Sequence, residues 1–99
     1  MNKYENAIAW KETLPGAQGC PGEIKIYRIE NNALTIDREY MQEGFEIPKN
    51  IKDSENWKWI GLCSRHYLYI PCSVYEEFIE LGPTTLKSYE EKLKRIFVK

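Results

Sequence analysis

The stretch from Trp57 to Gly82, WKWIGLCSRHYLYIPCSVYEEFIELG, constrains the fold most, because its hydrophobic period changes part-way along. Two apolar runs, Trp57 to Cys63 and Tyr67 to Ile70, flank the polar trio Ser64, Arg65 and His66, which is the pattern of a β-hairpin. With that trio as the loop, Leu62 falls opposite Leu68 and Ile60 opposite Ile70 on one face. Alternation then gathers Trp57, Trp59, Cys63, Tyr67 and Tyr69 on the other. Both faces are hydrophobic. An antiparallel sheet needs only one such face for its core, and the aliphatic face is the natural candidate. The aromatic face has to be covered by another part of the chain or offered to something else.

After Pro71 the spacing turns helical. Ser73 and Glu76 stand at capping-box separation, and Val74, Phe78 and Leu81, flanked by Tyr75 and Ile79, recur along one stripe until Gly82 and Pro83. This predicts a helix over 73–81. Upstream, Glu23 to Tyr40 reads as another hairpin, turning at Asn31 and Asn32, which tolerate the left-handed backbone of a tight turn. That turn sets Ile29 beside Leu34 and Tyr27 beside Ile36. Ile24 and Ile26 fall on the opposite phase, which requires either a bulge near Tyr27 or a strand covered on both sides.

The remaining segments are shorter. Asn2 to Thr13 places Tyr4, Ala7, Ile8 and Lys11 on one helical face and is expected to form a short helix, with an edge strand over Ala7 to Trp10 as the alternative. Leu14 to Gly22 is a turn-rich connection. Gln42, Glu43 and Gly44 turn into a short strand at Phe45 and Ile47, closed by Pro48, and the polar Lys49 to Asn56 is a surface loop anchored by Ile51 alone. Thr84 or Thr85 caps a final helix whose stripe is Leu86, Tyr89, Leu93 and Ile96, joined by Phe97. The expected architecture is α+β: a single compact domain over residues 1–99, with an antiparallel sheet of about five strands and helices 73–81 and 85–97 packed on one face.

A net charge of -1 argues against generic nucleic-acid binding, whose affinity comes mainly from cations set against phosphates. No apolar run approaches the ~20 residues of a membrane span, and no secretory signal opens the chain, so the expectation is a cytoplasmic protein. Cys20, Cys63 and Cys72 form an odd set and are expected as reduced thiols. The wealth of Lys, Ile, Glu, Asn and Tyr suggests an AT-rich genome, that of a low-GC bacterium or its phage.

Three constellations could carry function. Cys20, Cys63, Cys72 and the single histidine, His66, together make a three-thiolate, one-imidazole zinc set, although only Cys63 and His66 form a close ligand pair. Cys63 or Cys72 with His66 as base could instead serve thiol catalysis, but nothing in the chain supplies a group to orient the base or donors for a developing charge. No Walker loop, HExxH, GxSxG or EF-hand pattern occurs. The third constellation is Trp57, Trp59, Tyr67 and Tyr69 with Arg65 and His66 at the hairpin tip, residue types that dominate protein interfaces. Its rival is a core reading, in which Tyr4, Ile8 and Trp10 cover the same rings. Acidic clusters at Glu39, Glu43 and Glu46 and at Glu76, Glu77 and Glu80 place nucleic acid below protein as a partner.

The expectation is therefore a non-enzymatic, cofactor-free binding protein, such as an inhibitor, immunity or regulatory factor of bacterial or phage origin. It would act on another protein or self-associate as a homodimer. A zinc-stabilised or thiol-based ligand-binding or catalytic domain using Cys63, His66 and Cys72 is the alternative.

Overall fold

The computed structural model describes residues 6–16, 21–41 and 44–99. The elements are β1 (Ala9–Thr13), β2 (Glu23–Glu30), β3 (Ala33–Tyr40), α1 (Lys49–Lys52), β4 (Trp57–Cys63), β5 (His66–Pro71), α2 (Cys72–Glu80) and α3 (Tyr89–Phe97). All neighbouring strands pair antiparallel in a five-stranded sheet ordered β3-β2-β1-β5-β4. This is the expected α+β fold, with α2 and α3 on one face of the sheet.

The β2–β3 hairpin follows its turn chemistry. Asn31 and Asn32 both take positive φ, 51° and 58°, and the ladder pairs Ile29 with Leu34 and Tyr27 with Ile36. Its register is unbroken, so Ile24 and Ile26 are out of phase because both faces of β2 are covered. Tyr27 packs under the helices, while Ile24 and Ile26 join a second cluster behind the sheet.

The β4–β5 hairpin keeps its expected faces but slips along its length. Arg65 adopts φ 68° at the turn, Cys63 pairs with His66, and a bulge between Gly61 and Cys63 sets Ile60 opposite Leu68 rather than Ile70. The offset is even as far as Gly61, so the side chains up to there keep their faces, but the bulge turns Cys63, expected beside the tryptophans, to the face of its partner His66.

Residues 9–13 are not helical. They form the central strand, with Trp10 paired to Ile26 on one side and Tyr69 on the other. Both neighbours would otherwise present unpaired backbone groups at buried edges, so satisfying two ladders outweighs the weak helical pattern of a short segment. Asn2 and Tyr4, the other members of the expected helix, lie outside the described residues, as do Gln42 and Glu43.

The expected strand at Phe45 and Ile47 is also corrected. Residues 45–47 are not a strand; they lead through Pro48, the N-cap, into α1, a short helix that buries Ile51 where a surface loop was expected. Ile47 and Ile51 pack with Trp10, Ile24, Ile26 and Tyr69, and Phe45 and Trp57 flank them. Among the described residues the cover over the aromatic face is thus Gly44 to Asp53; Trp10 lies within that face rather than over it, Ile8 packs on the helix side, and Tyr4 lies outside the described residues.

On the helix side, Ala9, Tyr27, Leu68 and Ile70 meet Phe78, Tyr89, Leu93 and Ile96. Pro71, rather than Ser73, precedes the first turn of α2, and no side chain caps it. Gly82 closes α2 with φ 110°, a left-handed backbone that suits glycine, and its N–H donates to Ile79 O. The last helix starts later than the Thr84–Thr85 cap implies. Thr85 and Ser88 exchange side-chain and backbone bonds in a turn, the helix begins at Tyr89, and Leu86 stays exposed. Between sheet and α3, Tyr27 Oη lies 2.7 Å from Tyr89 Oη and donates to Glu90 Oε2. Burial pushes both phenols up.

Candidate aromatic cleft

Alternation along β4 and β5 places Trp57, Trp59, Tyr67 and Tyr69 on one face, as expected, and β1 adds Trp10 and Glu12 beside them. Coverage of this face is graded. Tyr69 is 6 % exposed and Trp57 and Tyr67 are half-buried, but Trp59, on the edge strand beyond the reach of α1, is 62 % exposed. Its ring stands edge-on to Tyr67, with centroids 5.8 Å apart.

Between these rings and α1 lies a cleft of about 440 Å³, lined from the sheet by Trp59, Tyr67, Tyr69 and Glu12, with Leu14 beside them, and from the α1 side by Lys52 and Asp53. A second hollow of about 500 Å³ shares Glu12, Leu14, Lys52 and Asp53 and continues past Phe45 and Ile47. The Glu12 residue is only 3 % exposed. Its Oε1 accepts from Tyr69 Oη at 3.2 Å, and its Oε2 lies 3.5 Å from Lys52 Nζ. Burial, then the neighbouring Glu12 carboxylate, pushes the Tyr69 phenol up. The sequence reading passed over Glu12, Lys52 and Asp53. A strand reading of AWKET would have found the first, since Glu12 shares the phase of Trp10.

Arg65 is exposed at the hairpin tip, but His66 does not join the aromatic residues. It shares its phase with Leu68 on the helix side, where its Nδ1 lies 2.7 Å from Lys11 Nζ and 3.3 Å from Thr13 Oγ1. Lys11 is 5 % exposed, and burial together with Lys25 pushes its ammonium pKa down. Burial and the charges of Lys11, Arg65 and Lys25 likewise hold the His66 imidazole below its ordinary value. A histidine with a depressed folded pKa supports the fold above about pH 6.5 and loses that contribution as pH falls, because the unfolded chain binds the proton first. Urea midpoints should therefore fall between pH 7.5 and 5.5 by more in the native protein than in His66→Gln.

The structure brings Cys63 and His66 together as cross-strand partners but assembles neither the zinc set nor a Cys72–His66 pair. Cys63 and His66 sit together at one end of β5, whereas Cys72 lies past its other end, and at ~3.3 Å per strand residue that separation exceeds any first coordination shell. The Cys72 thiol donates to Glu55 O at 3.0 Å. Cys20 lies outside the described residues, and among the described residues no group of three or more His, Cys, Asp or Glu could hold a metal. Nor, among them, is any helix long and apolar enough to cross a membrane.

No protein-family model matches the chain, and no curated protein or solved structure is similar to it.

Proposed function

We propose that this is a small cytoplasmic, non-enzymatic protein that binds another protein through the β4–β5 hairpin, with Trp59 as the anchor, Tyr67 against it and Arg65 at the hairpin tip. An inhibitory, immunity or regulatory role of bacterial or phage origin suits such a domain. The observation that carries the reading is the indole of Trp59, largely exposed at the mouth of a cleft whose other rings are already held in place. Ordered aromatic side chains next to a concavity supply contact area at little entropic cost, and tryptophan and arginine are the commonest interface hot spots. The β4 edge carries Lys58 and ends in a bulge, features that discourage pairing with a further strand, so side-chain insertion is favoured over sheet extension.

Trp59→Ala is expected to weaken capture of the partner by roughly thirtyfold, equivalent to about 2 kcal/mol, while leaving thermal stability within a few degrees of the native protein. Quantitative affinity capture from host lysate, comparing native protein, Trp59→Ala and the remote control Lys87→Ala, measures it. Equal recovery of every captured protein by the native and Trp59→Ala forms would overturn the reading. Light scattering on the same pair separates a heterologous partner from a homodimer built on this face.

A further inference from the structure

Granting that the cleft is where a partner docks, we infer that it receives a positively charged side chain of that partner, a guanidinium or an alkylammonium, laid against Trp59 and Tyr67 and directed at Glu12. The walls and the floor point to the same chemistry. The faces of indole and phenol rings attract cations, and Trp59, Tyr67 and Tyr69 line the cleft together. At the floor, Glu12 is a carboxylate almost wholly removed from water, and a charge so placed calls for a cationic partner.

The partner that Glu12 now has is a loose one. Lys52 Nζ stands 3.5 Å away, well beyond the ~2.7–2.9 Å of a strong ammonium–carboxylate bond, and the lysine side chain is 49 % exposed. The two donors that reach Glu12 among the described residues, Tyr69 and Lys52, leave acceptor capacity on an ionised carboxylate that can take about four hydrogen bonds. Asp53 adds a second negative charge to the lining, against Lys52 as its only cation among the described residues. An anionic occupant would face both carboxylates, and an apolar one would seal the Glu12 charge in without compensation. A cation replaces Lys52 at Glu12 and frees it to turn outward, so Lys52 is a tethered competitor for the site.

The inference is tested with short capped peptides, Ac-Gly-Arg-Gly-NH2 against Ac-Gly-Leu-Gly-NH2 and Ac-Gly-Glu-Gly-NH2, titrated into the full-length protein while the Trp59 indole N–H is followed by NMR. The arginine peptide is expected to give a saturable shift with a roughly millimolar Kd, and the other two none. Glu12→Gln, which keeps an acceptor for Tyr69, should weaken the arginine peptide about tenfold. Lys52→Ala, a change at the rim that leaves the core untouched, should tighten it about threefold by removing the competitor. Equal binding of the leucine peptide, no saturable shift with arginine, or a Lys52→Ala variant that binds arginine less well would each overturn it. The two readings fail separately. Loss of capture in Trp59→Ala without arginine binding retains the docking surface and removes the cation, whereas arginine binding with capture unaffected by Trp59→Ala does the reverse.

Discussion

Trp10→Ala is expected to cost about 3–5 kcal/mol of unfolding free energy, a large fraction of what a domain of this size has. Trp10 is 1 % exposed in the central strand, flanked across its ladders by Ile26 and Tyr69 and capped by Ile47 and Ile51. Removing its indole therefore opens a cavity where the sheet meets the segment that covers it. That segment is anchored on the same cluster, with Phe45 packed beside Ile47 and Ile51. Among its residues only Ile47 and Ile51 are buried, and α1 is a four-residue helix without a side-chain cap. Urea denaturation should show the loss in stability, and amide exchange should show Gly44 to Asp53 opening before the sheet does. Because Lys52 and Asp53 form one wall of the cleft, arginine-peptide binding should weaken even in conditions where Trp10→Ala is fully folded. A Trp10→Ala protein with native stability would mean that the cover is held by other contacts.

Phe78→Ala is expected to be as costly, about 3–5 kcal/mol, but to leave the cleft alone. Phe78 is fully buried and is the one buried residue of α2, packed in the cluster that includes Leu68, Ile70 and Leu93. Its ring also lies 4.3 Å beneath Lys92 Nζ, which donates to Gly82 O at 2.7 Å and to Thr84 Oγ1 at 2.6 Å just beyond the end of α2. Burial pushes the Lys92 ammonium pKa down, and the ring face and two oxygens compensate that lost hydration. Truncating Phe78 thus removes a core side chain and the floor under a buried cation together. Phe78→Leu, which preserves more of the volume, should cost about 1–1.5 kcal/mol. Urea midpoints for both variants measure the difference, and arginine-peptide titration of the folded fraction should match the native protein. Altered binding in Phe78→Ala would show the two faces of the sheet to be coupled.

The contrast between these variants reflects a division already visible along the strands. Alternation placed Trp57, Trp59, Tyr67 and Tyr69 on one face and Ile60, Leu62, Leu68 and Ile70 on the other, and the bulge at Gly61–Cys63 moved the register and carried Cys63 across to the side of His66. His66 was misplaced because a loop residue has no phase; once it pairs with Cys63 it becomes the first residue of β5 and points with Leu68. The site was half readable for the same reason. Its aromatic wall belongs to one hairpin, whereas Glu12, Lys52 and Asp53 come from segments far away in sequence.

What the amino-acid order determined by itself is what short-range forces decide. The asparagine pair set the β2–β3 register, Pro71 and Gly82 bounded α2, and the three- and four-residue spacing of Tyr89, Leu93 and Ile96 set the buried stripe of α3. Only the tertiary structure decided that Ala9–Thr13 is the middle strand and that Gly44 to Asp53 is the cover over the aromatic face. Five residues are too few to establish a period of their own. Their conformation is chosen by the two hydrogen-bond ladders they complete, and the cover by the apolar surface those ladders bring together.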